Sequence, residues 1–156
     1  TVLMPDKLRQ DVKVQITWSV PFPEMAGMDL DDIAHEWGMT RRAAAEKLLP
    51  AGAITFSMDE ADVQRIMAHP RSMIGSDGIP HDAKPHPRLW GTFPRVLGRY
   101  VRNIGLFSLE TAVHKMTGRC AQVFGIPGRG VVRAGAFADL VMFDPARVRD
   151  HATYKD

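Results

Sequence analysis

Ser72-Met73-Ile74-Gly75-Ser76-Asp77-Gly78 is a short apolar run that ends on an aspartate flanked by glycines. Read as a buried strand over 72–76, it sets Asp77 just past the strand's carboxyl end. In a parallel α/β structure, functional groups collect there. A carboxylate so placed can orient a water, shuttle its proton or ligate a metal. Gly75 and Gly78 would let a ligand approach the backbone closely. Asp-Gly is also an ordinary turn dipeptide, and a turn is its commoner use. Spacing alone leaves both readings open.

The flanking sequence supports an α/β pattern. Upstream, Ser57-Met58-Asp59-Glu60 fits a capping box, which predicts a helix over 58–68 with Val63, Ile66 and Met67 facing inward. Earlier still, Val12 to Trp18 alternates as a strand should, and Ala53-Ile54-Thr55-Phe56 suits a short one. Between them lie two helices. The first spans 28–37, with Leu30, Ile33, Ala34 and Trp37 on one face; the second spans 41–49 and is capped by Thr40. Downstream of Asp77, the Pro- and His-rich stretch 79–91 reads as an irregular loop. A helix over 93–101 follows, with Pro94 in its first turn, then a Ser108-capped helix ending at Gly118 and a short one over 120–124. Leu109, Ala112, Val113 and Met116 form the apolar face of the Ser108-capped helix. This order is that of βα units building a parallel sheet. From Gly128 the character changes: Val131-Val132 and Leu140-Val141-Met142-Phe143 read as a β pair separate from that sheet.

Composition narrows the functional classes. The 156 residues are 45% hydrophobic and 24% charged, as in soluble globular proteins. No apolar run approaches the roughly 18–20 residues a membrane span needs. A single cysteine, Cys120, excludes an internal disulfide and favours a reducing, cytoplasmic setting. Residues 1–80 carry 8 Lys+Arg against 12 Asp+Glu, and residues 81–156 carry 12 against 6, giving −4 and +6. The basic residues of the second half, Lys115 among them, are scattered singly, which suits a solvated face or an anionic small molecule better than nucleic acid. A helix-turn-helix is suggested by 32–44, but residues 28–49 hold five acidic and three basic side chains. A duplex-DNA reader needs the opposite balance.

Within the loop, His81, Asp82 and His86 invite a metal reading, yet two histidines five apart on a Pro-broken segment do not make a site of three or four convergent ligands. Arg88 has the planar fork that grips a carboxylate through two hydrogen bonds, although a surface ion pair is its commoner use. Cys120 is read as a small buried apolar residue and not as a nucleophile.

Two longer stretches carry a family resemblance. Met73 to Asp82, continued by His86-Pro87-Arg88-Leu89-Trp90-Gly91-Thr92-Phe93-Pro94-Arg95-Val96-Leu97-Gly98, resembles the N-acyl-D-amino-acid deacylases of the amidohydrolase superfamily. So does Gly128-Arg129-Gly130 followed by Gly135-Ala136-Phe137-Ala138-Asp139-Leu140-Val141-Met142-Phe143-Asp144-Pro145. The resemblance implies a zinc-dependent enzyme built on a (β/α)₈ barrel with a small β-sandwich. Residues 1–124 would be the C-terminal part of the barrel, with 72–77 its last strand, and 125–156 the returning strands of the sandwich. It implies that Asp77 activates a zinc-bound water, returns the proton to the departing amine and weakly ligates a second metal. Arg88, in the same implication, binds the carboxylate of a small-molecule N-acyl-D-amino acid substrate.

The family's His-x-His and metal-binding cysteine have no counterpart in these 156 residues. A complete barrel takes about 250 residues. The expectation is therefore a C-terminal piece of a deacylase that is inactive alone and holds no stoichiometric zinc. The competing expectation is a non-catalytic module, either anion-binding or helix-turn-helix. Oligomeric state and preferred substrate side chain are not legible.

Overall fold

A computed structural model of the chain describes residues 2–80 and 82–154. It mixes helix and strand and divides into two compact units. The first comprises Thr1–Met58, Gly78–Leu89 and Ala152–Asp156; the second comprises Asp59–Asp77 and Trp90–His151. No helix of the described residues is long and apolar enough to cross a membrane.

The first unit is built on two strands, β1 (Val14–Ser19) and β2 (Ala51–Thr55), with helices α1 (Leu30–Glu36) and α2 (Arg41–Leu48) between them. Leu30, Ile33 and Ala34 of α1 bury against Ala44, Ala45 and Leu48 of α2 and against Val14 and Ile16 of β1. The 3.6-residue spacing of these apolar positions makes the segments helical and sets which face turns inward. Thr40 caps α2, its Oγ1 accepting from Ala43 N at 3.2 Å. Gly38 takes the left-handed turn between the helices at φ +62°. β1 is buried along nearly its whole length, polar positions included. Gln15 tolerates this because its Nε2 donates to Gly27 O at 2.7 Å and Tyr154 O at 3.1 Å.

Here the structure corrects the expectation of a parallel sheet. β1 and β2 pair antiparallel, with Ser19 opposite Ala51 and Val14 opposite Thr55. A parallel crossover must carry the chain back to the end where the first strand began. Two helices packed on one another return it instead to the end where β1 finished, so β2 runs backwards. The close partner of this pair is Gly52, where an added Cβ would lie 2.2 Å from Trp18 Nε1 and 2.6 Å from Thr17 Oγ1. Gly52→Ala is therefore expected to destabilise the protein by about 1–3 kcal/mol through overpacking, read as a lower denaturation midpoint with an unchanged slope.

The second unit is helical: α3 (Glu60–Ala68), α4 (Arg88–Arg95) from Trp90 onward and the π-helical stretch that continues it (Val96–Asn103), α5 (Leu109–Met116) and α6 (Gly118–Val123). Its core is Val96, Tyr100 and Ala112, with Val63, Met67, Ile74 and Met116 packed around them. Ile66, expected inward, is exposed. α3 starts two residues later than the capping-box reading, because Asp59 is the cap, with its carboxylate accepting from Ala61 N and Asp62 N. Gly118 begins α6 instead of ending α5. Pro94 stands inside α4, not in its first turn. It offers no N–H to the preceding turn, and the helix widens to π geometry two residues later. Gly91 and Gly98, two helical turns apart, leave space for the segment 148–150. An added Cβ at these positions would lie 2.2 Å from Asp150 Oδ1 and 2.7 Å from Val148 O.

Three expected strands are not formed among the described residues. Residues 72–79 carry no regular element, and neither do 131–132 or 140–143. A strand is defined by its ladder, and no ladder is formed at these segments among the described residues. Ile74 N instead donates to Lys115 O of α5, at 3.2 Å, and Val132, Val141 and Met142 are exposed.

Candidate functional site

Asp77 ends the segment that leaves α3. His69 closes α3 and Ser72 N donates to His69 O at 3.0 Å, making a tight turn. The chain then passes Ile74 without regular secondary structure to Asp77, which is exposed and stands at φ +49°. It is the one non-glycine residue with positive φ among those described. The left-handed region is unfavourable for most side chains and is tolerated best by Asn and Asp. Such backbone persists where its surroundings hold it, and functional sites are where it concentrates.

The glycines beside it do different jobs. At Gly75 an added Cβ would meet nothing within 4 Å, so that position is open. At Gly78 it would lie 2.9 Å from Leu89 Cα, so the space there is filled by the protein's own backbone and not kept for a ligand.

Arg88 is the first residue of α4, not part of an irregular loop through Gly91. The helix starts early because the imidazole of His86 serves as its cap: Nδ1 accepts from Arg88 N at 3.0 Å. His86 also meets the Tyr154 ring edge-on at 5.2 Å between centroids. It is half-buried and structural. His81 lies outside the described residues. Cys120 is half-buried on α6, its Sγ donating to Lys115 O at 3.3 Å. Among the described residues no group of three His, Cys, Asp or Glu side chains could hold a metal ion. Asp77 and Arg88 offer a carboxylate and a guanidinium, groups suited to proton transfer and to anion binding.

Lys115 is the residue that the sequence reading missed. Assigned to a solvated basic face, it is only 3% exposed. Its ammonium donates to His69 O at 2.6 Å, Ser72 Oγ at 2.9 Å and Ser72 O at 3.3 Å. Burial pushes this ammonium below the ordinary lysine range, and the Arg119 charge acts in the same direction. A signal was present: Lys115 follows buried Ala112 by three residues, one helical turn, whereas Val113 falls on the exposed side.

The model of the amidohydrolase family matches residues 21–156. The chain belongs to the amidohydrolase family. This amidohydrolase chain is 59% identical over 155 residues to a D-aminoacylase of Alcaligenes xylosoxydans xylosoxydans, an alignment covering 99% of this chain and 32% of that protein. It also resembles, with a TM-score of 0.97 and 54% identity, an N-acyl-D-glutamate deacylase of Bordetella bronchiseptica. That deacylase was solved with zinc and a phosphonate inhibitor that mimics the tetrahedral intermediate; the match covers 99% of this chain and 33% of that one. A D-aminoacylase studied for its binuclear metal centre matches with a TM-score of 0.94 at 57% identity, over 99% of this chain and 32% of its own. The amidohydrolase chain thus spans about a third of the length of the relatives it matches.

Proposed function

We propose that the whole protein is a zinc-dependent deacylase that hydrolyses the amide of N-acyl-D-amino acids to a carboxylate and a free D-amino acid. The observation that carries this reading is identity of 54–59% to deacylases along 99% of the chain. In this proposal residues 1–124 belong to a (β/α)₈ barrel and 125–156 to a β-sandwich, the main zinc ligands are residues outside this chain, and Asp77 would weakly ligate a second metal. Zinc supplies polarisation of the acyl carbonyl and of the attacking water.

The roles of this chain's own residues are those that the resemblance to deacylases implies. The Asp77 carboxylate takes a proton from the water as its oxygen bonds to the acyl carbon. It then gives that proton to the amide nitrogen as the C–N bond breaks, so that the amine departs neutral. The Arg88 guanidinium binds the substrate carboxylate through two parallel hydrogen bonds and fixes the scissile amide. Cys120 supports a cytoplasmic setting.

Amine release from paired N-acetyl-D- and N-acetyl-L-amino acids tests the reading. The whole protein loaded with zinc is expected to release amine from the D series only, and the 156 residues alone from neither. Absence of D-amino-acid release by the whole protein would refute it.

A further inference from the structure

Lys115 is the only charged side chain buried among the described residues. An ammonium has three N–H donors, and all three are taken by oxygens of one short stretch, His69 O, Ser72 Oγ and Ser72 O. Its own backbone carbonyl receives Ile74 N at 3.2 Å. One residue of α5 therefore grips the chain at three points, His69, Ser72 and Ile74. Only Gly75 and Ser76 separate the last of these from Asp77.

Packing alone does not call for a lysine here. The neighbouring core of Val96, Tyr100, Ala112 and Met116 is apolar, and a methionine would fill the same volume without taking a charge out of water. The ammonium is held by neutral oxygens, an arrangement that burial disfavours. What it does that methionine cannot is tie α5 through three hydrogen bonds to the turn at His69 and Ser72, where the segment leading to Asp77 begins. That segment delivers the one left-handed non-glycine residue described, and such backbone must be over-determined by its surroundings to persist.

We infer that Lys115 is a positioning residue for Asp77: through its bonds to His69, Ser72 and Ile74 it sets where the Asp77 carboxylate stands relative to the attacked amide. The inference rests on the reading of Asp77 as the group that moves the proton. It concerns geometry at a reacting centre, where a misplacement of about 1 Å can lower the rate about 100-fold. Substrate grip is Arg88's task, so binding is left alone.

The test uses the whole zinc-loaded enzyme, with metal content measured for every variant and an N-acetyl-D-amino acid as substrate. Lys115→Met is expected to lower kcat by about 10- to 100-fold with KM within about twofold. Ser72→Ala removes one acceptor of the ammonium together with that hydroxyl's own hydrogen bonds to Met67 O and His69 O, and it is expected to lower kcat by about 3- to 10-fold with the same KM. In the double variant the second change adds little, because both act on one contact. A purely structural lysine would lower the melting temperature and leave kcat per zinc-loaded molecule unchanged. Unchanged kcat in Ser72→Ala, or in folded Lys115→Met, overturns the inference if Asp77→Asn is inactive. Near-parental turnover in Asp77→Asn would overturn instead the reading on which the inference rests.

Discussion

Replacing Arg88 by alanine in the whole enzyme is expected to raise KM for an N-acyl-D-amino acid by about 100-fold or more and to change kcat far less. Two charge-assisted hydrogen bonds to a carboxylate are together worth roughly 3–4 kcal/mol, and each 1.4 kcal/mol is a factor of about ten in affinity. The loss falls on binding because the carboxylate is gripped alike in the ground state and the transition state. The fold should tolerate the change. The bond that starts α4 runs from the Arg88 backbone N–H to His86 Nδ1, and alanine keeps that N–H. Arg88→Lys should not restore KM, since an ammonium cannot reproduce the planar fork. Steady-state kinetics with an N-acetyl-D-amino acid checks all three values, and an unchanged KM in Arg88→Ala removes Arg88 from the substrate site.

Local signals in the sequence were read well where a single side chain decides the structure. Thr40 and Ser108 each cap the helix they were expected to cap, with hydroxyl oxygens accepting from Ala43 N and Thr111 N at 3.2 Å. The apolar period of Leu30, Ile33 and Ala34 is the buried face of α1. What failed depends on partners distant in the chain. Alternation in residues 12–18 identifies a strand but says nothing about whether β2 pairs with it parallel or antiparallel. The length of the intervening helices decides that, by which end of the pair they return to. Apolar runs at 72–76 and 140–143 have strand composition without strand pairing among the described residues. α4 begins at Arg88 only because His86 folds back to cap it, a use of histidine that no propensity scale anticipates.

The candidate site was legible to a similar degree. Asp77 and Arg88 stood out through the long motif that contains them, and spacing alone favoured neither over a turn aspartate and a surface arginine. Lys115 was passed over because a lone lysine in a basic half is usually solvated. Its burial follows from a one-turn offset from Ala112 and from three oxygens that become its partners only after the turn at His69 has formed.

Asp77→Asn is the cleanest change at the centre of the proposed mechanism. Asparagine has the same shape and shares aspartate's tolerance of the left-handed backbone at φ +49°, so the variant removes the proton-accepting oxygen and leaves the chain path in place. Alanine would confound the result by adding roughly 1–2 kcal/mol of backbone strain. A positioned general acid–base group contributes about 10²- to 10⁴-fold, and Asp77 serves both the attack and the departure of the amine. The most direct measurement is the kcat of Asp77→Asn beside the parent enzyme, on one N-acetyl-D-amino acid, with the zinc content of both preparations determined. The expected result is a fall of about 10³-fold or more at equal zinc. A kcat within about tenfold of the parent at equal zinc would contradict the assignment of proton transfer to Asp77.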